Sequence, residues 1–231
     1  MVSPLPERHE PRRCAQLDST LSSGTPVNLV SQHLASRPAG TPGQAGGLVI
    51  AVLGAESTGK TWLAQALSDR LAVATGLRCT WVPEWLRQWC DLHGRTPARH
   101  EQAYIAQTQH EHIDAAAQAH DIVVADTTAL MTAVYSRQVF GDESLRDSAL
   151  ALHRRVHFTL LTALDLPWVA DGHQRDGPHV QAAVNETVHA WLTAAAVPFA
   201  RVSGQGEARL ACALQACEPW LRAWPRASTL S

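Results

Sequence analysis

The chain has 231 residues, 19 Lys and Arg against 21 Asp and Glu, and a formal net charge of -2. That length suits one well-buried core, and the charge balance lacks the basic excess by which duplex nucleic-acid binders are known. No apolar run reaches the ~18 residues that cross a bilayer, and the opening MVSPLPERHEPRRC has no apolar stretch of the secretory type. Five cysteines, odd in number and without a CxxC pair, fit reduced thiols in a cytoplasmic protein. One oddity stands out: 8 Trp against 3 Phe and 2 Tyr.

Residues 1–46 are rich in Pro, Gly and Ser and show no sustained period. They read as a mostly disordered leader, because they cannot bury enough apolar surface to offset the entropy of ordering. Residues 47–231 read as one domain. Leu48–Leu53 is a continuous apolar run, the mark of a strand buried on both faces. A Gly-containing loop follows, then Leu63, Leu67 and Leu71 at helical spacing, stopped near Gly76. Cys79–Val82 predicts a second strand, and Thr96-Pro97 opens a long helix through about Gln118. Asp121–Asp126 predicts a third strand, with helices over Ala129–Phe140 and Glu143–Arg154. A strand at His157–Leu164, a helix at Pro178–Ala195, a strand at Phe199–Val202 and a helix at Glu207–Trp224 complete the pattern. Strands alternating with helices imply a three-layer α/β fold around a five-stranded parallel sheet.

The chemistry begins in the loop after the first strand. Gly54, Ala55, Glu56, Ser57, Thr58, Gly59, Lys60 and Thr61 match G-x-x-x-x-G-K-[ST], the phosphate-binding loop. Glycines let backbone N–H groups approach an anion, and the helix that starts there adds unpaired donors and a positive dipole end. Lys60 can reach the terminal phosphates of ATP, the Thr61 hydroxyl can ligate Mg²⁺, and Trp62 lies next in the nucleotide-binding set. Asp126 ends the third strand on the edge where ligands gather in parallel sheets. It suits either a carboxylate near Mg²⁺ and the attacking hydroxyl or a cap for the helix at Ala129.

Glu84 follows the second strand on the same edge and could orient an acceptor hydroxyl, with Arg87 a helical turn on. Trp81, Trp85 and Trp89 repeat every four residues, which fits a core stripe and a stacking wall for a flat cationic ring equally well. Asp171-Gly172-His-Gln-Arg175-Asp-Gly177 suits either a lid whose Arg175 stabilises charge during transfer or a solvated turn. His110 and His112 lie two apart on a helix and point to different faces, and no other Cys or His set suggests zinc.

Together these segments resemble the NadR-type ribosylnicotinamide kinase family of P-loop proteins. The likeness is carried by Gly54–Thr61, by Glu84-Trp85-Leu86-Arg87, by Ile113-Asp114 and Val123–Thr127, and above all by Pro167-Trp168-Val169-Ala170-Asp171-Gly172. It spans roughly Gly47 to Val202. The chain departs from the family in having Thr128 where a second acid is frequent, and two residues rather than one between Asp-Gly and Arg175. The adenylyltransferase and DNA-binding portions of larger members have no counterpart here.

The resemblance implies transfer of the ATP γ-phosphate to the 5′-hydroxyl of nicotinamide riboside, in a small-molecule kinase that needs neither nucleic acid nor membrane. It implies catalytic roles for Lys60, Glu84, Asp126 and Arg175, and metal ligation by Thr61 and Asp126. It further implies acceptor binding by Glu84, Trp85, Arg87, Asp126, Trp168 and Asp171. A kinase for another nucleoside or small alcohol, or a regulatory ATPase acting as a nucleotide switch, are the rival expectations.

Overall fold

A computed structural model describes residues 46–169 and 178–224, with the side chains of 178 and 179 excepted. Five strands form one parallel sheet: β1 (Leu48–Leu53), β2 (Cys79–Val82), β3 (Ile122–Asp126), β4 (Phe158–Thr162) and β5 (Phe199–Val202). Their spatial order is β2-β3-β1-β4-β5. The α/β architecture expected from the alternating pattern is therefore borne out. β1 sits at the centre, with Val52 in register with Asp126 of β3 and with Leu160 of β4.

The helices are α1 (Lys60–Thr75), α2 (Trp85–His93), α3 (Gln102–Ala119), α4 (Ala129–Phe140), α5 (Arg146–His153), α6 (Pro178–Ala194) and α7 (Gly206–Ala223). Strand alternation decides which of them covers which face. Leu48, Ile50 and Val52 pack with Leu63, Leu67 and Leu71 of α1 and with Leu210, Ala213 and Cys217 of α7. Ala51 and Leu53 face the opposite way, into α4, α5 and α6, while Val49 meets Ile113 of α3. Every residue of β1 is buried, so its unbroken apolar run has a physical cause: both sides are covered.

Three elements differ from the expected pattern. The long helix begins at Gln102, after a 3₁₀ turn over Arg99–Glu101, instead of at Pro97. The Glu101 carboxylate accepts from the Ala98 N–H at 2.7 Å and from both Arg95 Nη atoms at 2.7 and 2.8 Å, which holds the preceding residues extended. α5 starts at Arg146 instead of 143, and β4 stops at Thr162 instead of Leu164. The expected leader lies outside the described residues, apart from residue 46.

Because β1→β2→β3 builds one side of the sheet and β4→β5 the other, the chain reverses direction across β1. The loops leaving the carboxyl ends of β1, β2 and β3 therefore border the crevice where open parallel sheets bind ligands. Among the described residues no helix is long and apolar enough to cross a membrane.

Candidate active site

The loop between β1 and α1 is shaped by backbone constraints that its sequence obeys. Gly54 has φ +144°, and a Cβ there would lie 2.0 Å from Thr162 Oγ1, so the strand can leave the sheet only through glycine. Gly59 caps α1 in a left-handed conformation at φ 73°, and Ser57 holds φ 54°, a strained value for a residue with a side chain. Behind the loop, Thr58 Oγ1 donates to Ala55 O at 2.8 Å and lies 2.7 Å from Thr162 Oγ1. Lys60 Nζ donates to Ala55 O at 2.9 Å, folded over the loop it belongs to.

Thr61 Oγ1 donates to Asp126 Oδ2 at 2.6 Å, joining the loop to the end of β3. Asp126 is 1% exposed, and its Oδ1 has no hydrogen-bond partner among the described residues. Burial raises its carboxyl pKa; the Lys60 ammonium, the Thr61 hydroxyl and the Arg87 guanidinium act in the opposite direction. The capping alternative for Asp126 is not what the structure contains. Thr128 caps α4, its hydroxyl accepting from Leu130 N at 3.3 Å, and Thr127 turns the chain between them at φ 69°.

An orphaned carboxylate oxygen beside a threonine hydroxyl is a costly arrangement unless a cation or donor completes it. Both are hard oxygen ligands of the kind Mg²⁺ takes, so the residues present fit that ion.

Glu84 precedes α2 and is 9% exposed. Its place is fixed by Gln109 of α3, a buried residue that sequence reasoning missed. Gln109 Oε1 accepts from Trp85 N at 2.6 Å, and its Nε2 donates to Pro83 O at 3.3 Å, so the amide straddles Glu84. A glutamine in mid-helix carries no local signal for such a role.

A cleft of about 590 Å³ is lined by loop residues Glu56–Thr61, by Trp62, by Glu84, Arg87 and Tyr135, and by Leu166, Pro167 and Val169. Its phosphate-loop end and its Glu84–Arg87 end thus share one space. Tyr135, from the buried face of α4, was also missed: nothing in the sequence separates it from the apolar stripe around it. Trp62 is 43% exposed at this cleft.

Trp85 and Trp168 do not line the cleft. Trp85 packs against the cluster of Leu86, Trp89, Cys90 and Ile105 and meets the His112 ring edge-on at 5.2 Å. Trp81 lies across the sheet in the α1–α7 core, so the four-residue tryptophan period is split between two faces. Trp89 is buried, its ring stacked on His93 at 3.9 Å with the Arg95 guanidinium at 4.8 Å.

The segment at 167–169 is tied to the phosphate loop by Ser57 Oγ, which donates to Val169 O at 2.7 Å, and from α6 Gln181 Nε2 donates to Glu56 O at 2.6 Å. Asp171 and Arg175 lie outside the described residues.

None of the curated proteins matches the sequence. Among solved structures, a NadR protein in complex with NR has a TM-score of 0.60 and 20% identity over 74% of this chain and 51% of that one. A NadR protein in complex with NAD and AMP-PNP gives 0.58 and 15%, over 74% and 50%. The chain thus spans about half the length of the NadR structures it matches. A thymidylate kinase from Ehrlichia chaffeensis gives 0.50 and 16%, over 75% of this chain and 98% of that one. These likenesses share the fold, and at that level the resemblance seen in the sequence is borne out. A family model described as AAA domain matches residues 49–209, more than half of the chain, and the protein belongs to that family of P-loop domains.

Proposed function

We propose that the protein is an ATP-dependent kinase that phosphorylates a small-molecule alcohol, with the 5′-hydroxyl of nicotinamide riboside as the acceptor and nicotinamide mononucleotide as the product. One observation carries the reading: a phosphate-binding loop and two charged side chains beyond it, Glu84 and Arg87, line a single cleft, with the buried Asp126 bonded to the loop's own Thr61. A nucleotide switch needs the first of these and has no use for the second. The NadR complexes, whose ligands include NR in one case and AMP-PNP in the other, support nicotinamide riboside and ATP as the pair to test.

In this mechanism the backbone N–H groups of residues 55–60 and the amino end of α1 hold the phosphates. Lys60 releases Ala55 O and turns to the transferring group, where its charge offsets what develops there. Thr61 and Asp126 are the residues that would hold Mg²⁺, and the ion supplies charge neutralisation at the phosphate oxygens when bound. Glu84 accepts the hydrogen bond of the attacking hydroxyl and takes its proton as that oxygen bonds to the γ-phosphorus and the bond from the γ-phosphorus to the bridging oxygen breaks, with ADP leaving. Arg87 and Tyr135 orient the acceptor. Leu166, Pro167 and Val169 keep water, the competing acceptor, from the reacting end. By resemblance, Arg175 serves transfer and Asp171 serves acceptor binding, whereas the ring recognition that the resemblance implies for Trp85 and Trp168 is not carried over, because neither lines the cleft.

Incubating the full chain with Mg²⁺-ATP and a panel of nicotinamide riboside, purine and pyrimidine nucleosides and thymidine monophosphate, with products resolved by mass, tests the reading. Nicotinamide mononucleotide is the expected product. ADP formation unaffected by every acceptor would return the protein to the nucleotide-switch class, and turnover with thymidine monophosphate alone would reassign the acceptor.

A further inference from the structure

Arg209 is 1% exposed and ranks among the largest fully buried side chains. A guanidinium so placed loses its hydration and persists only with well-made partners. It has three, from three different loops. Nε donates to Gly204 O at 2.7 Å, in the turn after β5. Nη1 donates to Thr58 O at 2.7 Å, in the phosphate loop after β1. Nη2 pairs with Asp165 Oδ1, in the segment after β4. The same carboxylate accepts from Gly204 N through Oδ2 at 2.6 Å, closing the ring.

The Thr58 contact has a stereochemical consequence. In a trans peptide the C=O and the following N–H point in opposite directions. Arg209 is not among the residues lining the cleft, whereas Thr58 and Gly59 are. A Thr58 carbonyl drawn back to Arg209 therefore turns the Gly59 N–H forward, toward the space a phosphate would fill.

We infer that Arg209 is a positioning residue of the nucleotide site: it fixes the Thr58–Gly59 peptide plane and clamps the loops at 165 and 204 to it. The clamp rests on the reading of the cleft as a nucleotide site, and not on the identity of the acceptor. A planar fork with donors on three sides matches this task; a lysine ammonium, a single point charge on a flexible stem, does not.

The test is equilibrium binding to the full chain, with Mg²⁺-ATP and, separately, inorganic tripolyphosphate as probes. Arg209→Lys is expected to lower affinity for both by a similar factor of ten to a hundred, the range for residues that orient a binding group. Asp165→Asn, which leaves the guanidinium but weakens its hold, is expected to lower both by several-fold, and it carries the test if Arg209→Lys does not fold. Leu210→Ala, a packing change one residue away and 2% exposed in the parent, lowers the melting temperature and leaves the affinity of the folded protein within two-fold.

Unchanged affinity in Arg209→Lys, or in Asp165→Asn where the first variant does not fold, overturns the inference and leaves the nucleotide site standing. So does a loss for ATP without one for tripolyphosphate, because the effect then lies away from the phosphates. An equal loss in Leu210→Ala reduces Arg209 to a packing role. Failure of the unaltered protein to bind either probe removes the site and the clamp together, a result distinct from failure to phosphorylate any particular acceptor.

Discussion

The two ends of the cleft are built on different principles. At the end formed by the phosphate-binding loop, the groups proposed to recognise phosphate are backbone N–H donors, and the side chains mostly serve to hold the backbone: Gly54 and Gly59 permit the turn, while Thr58, Thr162 and Arg209 lock it from behind. At the end proposed to take the acceptor, the lining groups are side chains, Glu84, Arg87 and Tyr135, brought together from the start of α2 and from α4 by packing and by Gln109. Backbone recognition tolerates little change in shape and serves any phosphate. Side-chain recognition can be altered residue by residue without disturbing the loop, which lets one fold serve many acceptors.

The largest expected effect tests the phosphate end. Lys60→Ala removes the one cation of the loop, and acceptor-dependent ADP formation should fall by roughly 10³-fold, with the melting temperature held within a few degrees. A fall of less than ten-fold would mean that the loop's lysine is not at the transferring group. The acceptor end should respond differently. Glu84→Gln keeps the shape and removes the proton acceptor, so kcat should drop by roughly 10²-fold while ATP affinity is retained. Tyr135→Leu keeps an apolar surface in the cleft and should raise the acceptor KM by about ten-fold, with the KM for ATP unchanged. Parallel changes in both KM values would erase the distinction between the two ends.

That distinction also explains what the sequence made legible. The phosphate loop is contiguous, and its glycines answer to local φ values and to a Cβ that has no room, so eight residues announce it. The sheet was equally plain, because β1 and β3 are covered on both faces and must be apolar throughout. The start of α3 was not, since a carboxylate at Glu101 captures backbone groups that a proline at 97 suggested were already helical. Tyr135 and Gln109 sit in helices whose other buried residues are core, and their roles arise from what α2 brings against them. Arg209 is the extreme case. On an α7 sequence of mixed polarity it reads as a surface charge, and only the convergence of three loops shows it to be interior.

A smaller effect separates the supports of the two ends by pH. α4, which carries Tyr135, is capped by Thr128, and His153 holds that cap: its Nδ1 lies 3.0 Å from Thr128 Oγ1 and its Nε2 3.0 Å from Thr159 Oγ1. Each ring nitrogen meets a hydroxyl, which can serve as donor or acceptor, and burial lowers the pKa of the imidazole from 6.5 to about 4, so the folded protein holds it neutral near pH 7. Between those values the unfolded chain binds a proton that the folded one refuses. Stability is therefore complete above about pH 6.5 and declines as the pH falls toward 4, by about 3 kcal/mol in all. His153 sits under the start of the helix that carries Tyr135, so the loss it brings belongs to that side of the cleft. Urea unfolding at pH 7, 5.5 and 4.5 should show the decline in the parent protein and a flatter profile in His153→Gln, which carries no titrating ring. The difference between the two profiles isolates His153 from the carboxylates, since Glu101 and Asp142, each held at about 2 by an arginine, are common to both proteins. Identical slopes would show that the core beneath α4 accepts a proton without penalty, and that the two ends of the cleft share one pH response.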